Sequence, residues 1–377
     1  MDHGSSLRIA LVHDWLTGMR GGEKVLAELL RLFPSADVHT LLWKKGAVIE
    51  EIERCVRTVS FLDRLPFAHR AYRYYLPLFP MAVRSLDLRG YNLILSSSHA
   101  VAKAAPVPPG AVHVSYVHTP MRYLWESSGD YFQFGRQRSW KRAAMRMIAP
   151  YLRTFDRRTA GGVDYFVANS ETVRQRIQRA YGARARVIYP PVDTDFFTPC
   201  GNGDKPGDYY LAVSSLEPYK RIDLAVDAFS NGRRRLLIAG KGTLARQLRA
   251  RVRPPVEFLG EVGDARLREL YRGCRALIFP GREDFGIVPV EAQACGRPVV
   301  CFGEGGATES VIDGLTGVHF RPQSTEALLG SVERLESLSW DPGEIRRHSL
   351  RFSRQCFRER ILAFFRSTPR LSAFLNA

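Results

Sequence analysis

The sequence predicts an α/β protein of two open domains, each a buried parallel sheet flanked by helices. Its 377 residues suit two domains at roughly 150 residues each. Short apolar runs alternate with amphipathic stretches, as in stacked βα units. The alternation stops near the middle of the chain, at a stretch rich in proline and glycine, and then restarts.

In the first half, strands are expected at Arg8 to His13, Asn92 to Ser96, Ala111 to Val117 and Val163 to Ala168. Between the first two, Glu23 to Phe33 sets Val25, Leu26, Leu29, Leu30 and Phe33 on one side of a half-buried helix. Ser170 caps another helix that runs to about Tyr181. At Ile188-Tyr189-Pro190-Pro191 no helix continues, because each proline lacks the amide donor and fixes its own φ. The segment Pro199 to Asp208 extends this break as an exposed loop. Strands resume at Tyr210 to Ser214, Leu236 to Ala239, Val256 to Leu259, Ala276 to Phe279 and Pro298 to Cys301. From Glu344 to Phe374 the pattern is basic, amphipathic and helical, broken by Pro369. The expected partition is therefore a first domain over 1–188, a linker over 189–208, a second domain over 209–343, and a helical tail over 344–377 that packs back towards the first domain.

Composition narrows the functional classes. A hydrophobic share of 45% with 25% charged residues excludes a disordered, collagen-like or disulfide-scaffold chain. Lys and Arg number 55 against 38 Asp and Glu, a net charge of +17, so an anionic partner is expected: nucleic acid, an acidic membrane surface or a phosphorylated substrate. No recognised nucleic-acid motif accompanies the charge, so nucleic acid is not expected as a partner. The six cysteines are scattered without a C-x-x-C pair, against zinc ribbons, redox motifs and disulfide frameworks, and a cytoplasmic setting is expected. The strand-like Leu7 to Val12 leaves no room before it for a signal peptide. No apolar run approaches the roughly 20 residues of a spanning helix, so membrane contact would be peripheral. Two segments suit such contact. Phe61 to Leu86 mixes Phe61, Phe67, Tyr72, Tyr74, Tyr75 and Phe79 with Arg64, Arg70, Arg73 and Arg84, and Arg136 to Arg158 holds eight basic residues and one acid. The same pattern also fits aromatics in a core beneath a solvated basic face.

The most informative motif is Pro280 to Ala292, which follows an expected strand and opens an apolar helix, at the strand's carboxyl end where open α/β sheets bind ligands. Gly286 allows close approach of the backbone, and the amides of Ile287 and Val288 at a helix start suit a diphosphate. Glu283 and Glu291, eight positions apart, could serve two ends of one elongated ligand. Alternatively, Glu283 or Asp284 caps the helix and Glu291 is solvated. In Val213 to Arg221, Lys220 or Arg221 could reach the same phosphates, or be a surface charge. A cation at a helix start opposes the macrodipole, so an anion is expected nearby. Met19-Arg20-Gly21-Gly22-Glu23 is a glycine loop without dinucleotide or P-loop spacing. His118, in Tyr116 to Trp125, is left by Pro120 near the ligand edge of its sheet, in a structural or a catalytic role. Asp193-Thr194-Asp195 reads better as turn and cap than as a metal-binding pair.

Together these passages resemble the retaining glycosyltransferases of family 4. The resemblance rests on Glu283 and Glu291 flanking Gly286, the opening glycine loop, His118-Thr119-Pro120, Pro218-Tyr219-Lys220-Arg221, Val192 to Phe197, and Ala294 to Val299, in that family's order. It is nearest to the bacterial branch that transfers mannose or related sugars. The resemblance implies a GT-B fold of two facing Rossmann-like domains, a nucleotide-sugar donor such as GDP-mannose with no further cofactor and no metal, and a lipid-linked or polysaccharide acceptor at the inner face of an anionic membrane. It implies that Glu283 contacts donor-sugar hydroxyls, Glu291 the ribose, and Lys220 the diphosphate, helped by Gly286, Ile287, the neighbouring Phe285, and Gly21-Gly22 across the cleft. His118 would approach the transferred sugar. Many relatives carry Arg where this chain has Ser215, and Arg221 or Arg282 would substitute. A sugar-nucleotide epimerase of the same fold and a non-catalytic basic membrane- or nucleic-acid-binding protein are the alternatives.

Overall fold

The computed structural model describes residues 7–125, 139–201 and 207–375. The chain forms two compact units, one of Met1–Pro191 with Phe357–Ala377, the other of Val192–Cys356.

The first unit is built on seven parallel strands: β1 (Ile9–His13), β2 (Asp37–Thr40), β3 (Val56–Val59), β4 (Leu93–Ser98), β5 (Val112–Val117), β6 (Tyr165–Ala168) and β7 (Ala185–Val187), in the order β3-β2-β1-β4-β5-β6-β7. The central strand β1 is wholly buried, with Leu11 opposite Val38 of β2 and Leu95 of β4. The helix Gly21–Leu32 buries Val25, Leu26, Leu29 and Leu30 on this sheet. It starts two residues earlier than the periodicity suggests, because Glu23 reaches back to the amide of Arg20 at 3.0 Å and draws both glycines into the first turn. The helix Glu171–Tyr181 begins at Ser170, whose Oγ accepts from the amide of Val173 at 3.0 Å, and stops at Gly182 with φ +69°.

The C-terminal helix Arg354–Arg366 completes this core. Its Phe357, Ile361, Phe364 and Phe365 recur at helical spacing and are buried with Phe33, Leu30 and Tyr116. Phe365 meets Phe33 with ring centroids 5.2 Å apart, and Phe357 meets Tyr116 at 5.9 Å. Glu28, itself buried, accepts from Arg358 at 2.7 Å. By contrast, the helix Pro342–Ser349, read from sequence as the start of the tail, belongs to the second unit. Arg346 there donates to the carbonyls of Ala294 at 2.8 Å and Phe197 at 3.1 Å.

The second unit holds six parallel strands: β8 (Tyr210–Val213), β9 (Leu236–Ala239), β10 (Val256–Gly260), β11 (Leu277–Phe279), β12 (Val299–Phe302) and β13 (Gly317–Phe320), in the order β10-β9-β8-β11-β12-β13. Leu211 of β8 lies opposite Leu237 of β9 and Leu277 of β11. Both sheets therefore reverse direction of growth beside their first strand, between β1 and β4 and between β8 and β11. In open α/β sheets the crevice outside the carboxyl ends of such a pair is where ligands bind.

Phe365→Ala should leave a cavity between the C-terminal helix and Phe33 and cost about 3–5 kcal/mol, read as a lower denaturant midpoint with an unchanged slope in urea unfolding.

Candidate functional site

Each reversal point carries a cluster of polar side chains. In the second unit, β8 runs into Ser214 to Arg221 and β11 into Pro280 to Gly286. The turn Pro218–Lys220 sends the Lys220 ammonium onto the Glu283 carboxylate in an ion pair. Both side chains are mostly withdrawn from solvent, 19% and 10% exposed. The anion that the macrodipole argument asks for beside Lys220 is thus Glu283, and the surface-charge reading of Lys220 does not hold.

Glycines let the loops come this close. A Cβ on Gly281 would lie 2.9 Å from the Cα of Lys220, and one on Gly306 would lie 2.0 Å from the carbonyl oxygen of Asp284. The Gly306 amide donates to the Glu283 carbonyl at 2.8 Å, and Glu283 bridges Gly305. The loop Gly303-Glu304-Gly305-Gly306 after β12 therefore fixes the backbone of Glu283. Sequence reasoning does not single it out, although a glycine cluster directly after a strand was the available signal.

Gly286, at φ +89°, is the N-cap residue of the helix Ile287–Ala294 and brings no side chain to its first amides. The amides of Ile287 and Val288 are among the first donors of the helix. Glu291 is buried, not solvated, and its carboxylate accepts from the Tyr271 hydroxyl at 3.0 Å. Burial together with the charge and hydrogen bond of Glu291 pushes the Tyr271 phenol well above its ordinary value, so it stays a donor. The remaining candidates are placed differently. Phe285 is buried against Phe352, with ring centroids 5.3 Å apart, so its ring is core. The Arg221 guanidinium lies 3.2 Å from Asp223 and donates to Gln323 at 3.0 Å. Gln323 in turn donates to the Pro280 carbonyl at 2.8 Å, so Arg221 braces the loop after β11. Arg282 is half exposed, 3.9 Å from Glu304, and Ser215 is exposed. The Asp193 carboxylate accepts from the amide of Phe196 at 3.1 Å and pairs with Arg354 at 2.9 Å, the turn role read from sequence.

In the first unit the cluster lies at the ends of β1, β4 and β5. The Asp14 carboxylate accepts four backbone amides, those of His99, Ala100, Val101 and Ala102, at 2.7–2.9 Å, and so fixes the loop leaving β4. Ser97 Oγ lies 3.1 Å from His13 Nδ1 and 2.8 Å from His118 Nε2. Gly22 sits on both rings, since its Cβ would fall 3.2 Å from His13 Cε1 and 3.6 Å from His118 Nε2. Gly22 and His118 are thus brought together, beside Glu23 of the same glycine loop and beside His13, Ser97 and His99, which the motifs do not mark. The only sequence signal for them is Ser96-Ser97-Ser98-His99, a polar run closing an otherwise apolar strand. Burial pushes the His118 imidazole well below its ordinary value, and the neighbouring His99 and His13 charges push the same way.

Elsewhere in the first unit the two basic aromatic segments divide between core and surface. Phe79, Leu76, Leu152 and Phe155 are buried together, and the Arg84 guanidinium lies 5.1 Å from the centre of the Phe155 ring. Phe67, at 78% exposed, and Met147, at 82%, face outward with Phe61, Tyr74, Met81 and Tyr151. Arg136 and Arg138 lie outside the described residues. Among the described residues no helix is long and apolar enough to cross a membrane.

Residues 19–196 match the family described as Glycosyltransferase Family 4, and residues 201–351 match Glycosyl transferases group 1. A D-inositol 3-phosphate glycosyltransferase of Acidothermus cellulolyticus is 33% identical over 244 residues, 54% of this chain and 53% of that protein. The chain spans about half the length of the curated relatives it matches. Among solved structures, Anabaena Alr3699/HepE in complex with UDP-glucose superposes with a TM-score of 0.69 at 18% identity, covering 96% of this chain and 100% of that one. Sucrose-phosphate synthase from Thermosynechococcus elongatus does so with 0.70 at 17% identity, covering 96% and 98%. These two likenesses concern the fold. With both matches in chain order and each falling on a sheet that reverses beside its first strand, the chain belongs to the family 4 glycosyltransferases of GT-B fold.

Proposed function

We propose that this chain is a retaining glycosyltransferase that moves a hexose from a nucleoside-diphosphate sugar to a lipid-linked or polysaccharide acceptor at the cytoplasmic face of a membrane. The observation that carries it is the Lys220–Glu283 pair in the loop that leads through Gly286 into the helix Ile287–Ala294. Breaking the bond from sugar to phosphate develops negative charge on the departing diphosphate. Lys220 and the Ile287 and Val288 amides are fixed donors for that charge, and preorganised donors of this kind are among the strongest contributors to a lowered barrier. Glu283 holds hydroxyls of the sugar, and Tyr271 steadies Glu291 for the ribose. The acceptor attacks on the face that the diphosphate leaves, and the diphosphate oxygen takes the acceptor's proton, so no protein base is assigned. GDP-mannose is the donor implied by the resemblance to the mannose-transferring branch. A UDP-hexose is favoured by the UDP-glucose held by HepE.

The exposed aromatic face supports membrane engagement. Phe67, Tyr74, Met81 and Tyr151 protrude among arginines. The acid of the second segment, Asp156, is buried and bound to Lys103 at 2.9 Å, so it does not offset the exposed basic residues of that segment. Anionic headgroups attract such a face while aromatic rings enter the interface.

A thermal-shift panel with GDP, UDP, ADP and their sugars tests the donor. One base should stabilise the protein by about 2.7 kcal/mol at a hundredfold excess over its Kd, and no response to any would refute the proposal. Glu283→Ala should lower transfer by roughly a hundredfold or more and spare much of the nucleotide shift, because Lys220 stays available to the diphosphate. Glu291→Ala should diminish the nucleotide shift first. A soluble product formed without acceptor would instead indicate an epimerase. In flotation, the protein should bind phosphatidylglycerol vesicles and not phosphatidylcholine vesicles at about 0.1 M salt, and the Phe67→Ser, Tyr74→Ser double variant should bind them at least tenfold more weakly, at roughly 0.8 kcal/mol per buried methylene.

A further inference from the structure

The cluster in the first unit contains a directed chain of groups: Glu23, His13, Ser97, His118. Glu23 Oε1 lies 3.8 Å from His13 Nε2, and its other oxygen accepts from the Arg20 amide at 3.0 Å. His13 Nδ1 lies 3.1 Å from Ser97 Oγ, which lies 2.8 Å from His118 Nε2. Glu23, His13 and Ser97 are fully buried, so no water reorients them. A serine hydroxyl has one proton, so Ser97 donates to one ring and accepts from the other. The direction is set at the far end. Burial works to raise the Glu23 carboxyl, but the facing His13 and, beyond it, His99 bring it below its ordinary value, so Glu23 is a carboxylate. A singly protonated His13 facing a carboxylate carries its proton on Nε2, which leaves Nδ1 as an acceptor. Ser97 then donates to His13 and must accept from His118 Nε2–H. The opposite polarity would set the His13 Nε2 lone pair against the carboxylate.

We propose that Ser97 and His13 are positioning residues that fix His118 in its Nε2–H tautomer, which leaves Nδ1 as the hydrogen-bond acceptor for a hydroxyl of the bound sugar or acceptor. The inference rests on the reading that His118 meets the transferred sugar. Among the described residues no hydrogen-bond partner takes His118 Nδ1. The other charged groups at the cluster do not disturb the chain. His99 is 5.7 Å from His13 and 6.0 Å from His118 between ring centroids, and its Nδ1 is 3.3 Å from Asp14, whose carboxylate is filled by four amides. Tyr116, whose phenol burial pushes well above its ordinary value, donates to the Ile188 carbonyl at 2.9 Å. A ring fixed in this way accepts a ligand hydroxyl without first reorienting, and the hydroxyl proton points at the ring instead of towards the reacting oxygen.

The test uses the full chain labelled with ¹⁵N-histidine at neutral pH. Long-range ¹H–¹⁵N correlation should show His118 protonated on Nε2, and Ser97→Ala should mix its tautomers while circular dichroism and melting temperature stay close to those of the parent. The same variant should lose roughly tenfold in kcat, the scale of one hydrogen bond, with the nucleotide thermal shift and donor KM unchanged. Ser97→Thr, which keeps the hydroxyl, should restore both readouts. His118 protonated on Nδ1, as a doubly protonated His13 would enforce, overturns the assignment, as does a tautomer indifferent to Ser97→Ala. Loss of the tautomer preference with kcat unchanged overturns the role towards ligand. If the parent chain transfers no sugar from any donor, the glycosyltransferase reading fails, while the resonance experiment still decides the tautomer.

Discussion

The ion pair between Lys220 and Glu283 joins the two loops that flank the reversal of strand order in the second sheet. Several local features follow from it. The loops can approach only because Gly281 has no side chain to meet Lys220, and Glu283 is held from behind by the amide of Gly306. The start of the helix Ile287–Ala294 carries partial positive charge, and Lys220 adds a full one. Glu283 is the resident anion of this positive place. A carboxylate in that position balances the cation. A capping side chain would occupy the amides themselves.

The first unit uses a different chemistry at the same topological place. Its reversal point holds no comparable Lys–Glu pair among the described residues. It holds imidazoles, a hydroxyl and two carboxylates whose hydrogen bonds are internal. Asp14 spends both oxygens on the backbone after β4, which fixes the loop that carries His99. Glu23 is turned to His13. Burial drives His118 and His99 towards their neutral forms, so the locus offers directional hydrogen bonds more than charge. Departure of a diphosphate calls for fixed positive charge, whereas selection among sugar hydroxyls calls for donors and acceptors of known direction. In the proposed reaction, the two sheets thus take two kinds of recognition.

Much of this was legible in the sequence where the signal is local. The buried central strands are continuous apolar runs, so β1, β4, β5, β8, β9 and β11 could be placed within a residue or two. The strands β2, β3, β7 and β13 could not. They are three or four residues long, and β2, as Asp37-Val38-His39-Thr40, mixes polar and apolar residues because its ladder neighbours, not its own composition, make it a strand. Glu283, Lys220, Gly286 and His118 were legible as residues with chemistry at strand ends. Their partners were not, because Tyr271 with Glu291 and Ser97 with His118 meet only once the sheets are assembled. The buried state of Glu291 was equally hidden, since an acid in the second turn of a helix looks solvated until the neighbouring helix supplies a hydroxyl.

The tail shows why a domain limit drawn from composition can be displaced. From Pro342 onward the chain is predominantly basic and helical, and nothing in its residue types distinguishes Ile345 from Ile361. What distinguishes them is spacing against a particular surface. Ile345 stands on a short helix whose Arg346 is tied to the backbone at Ala294, next to the helix that bears Glu291. Ile361 stands on a helix whose four apolar residues, Phe357 to Phe365, match a stripe left open by Leu30, Phe33 and Tyr116. The first unit has a complete core only with residues from the far end of the chain, so whatever loosens the C-terminal helix also loosens the helix Gly21–Leu32, whose first turn carries Gly22 and Glu23. The order of the His13–Ser97–His118 cluster is in this way coupled to apolar packing on the other side of that same helix, and the tail is a structural part of the site that the first unit presents.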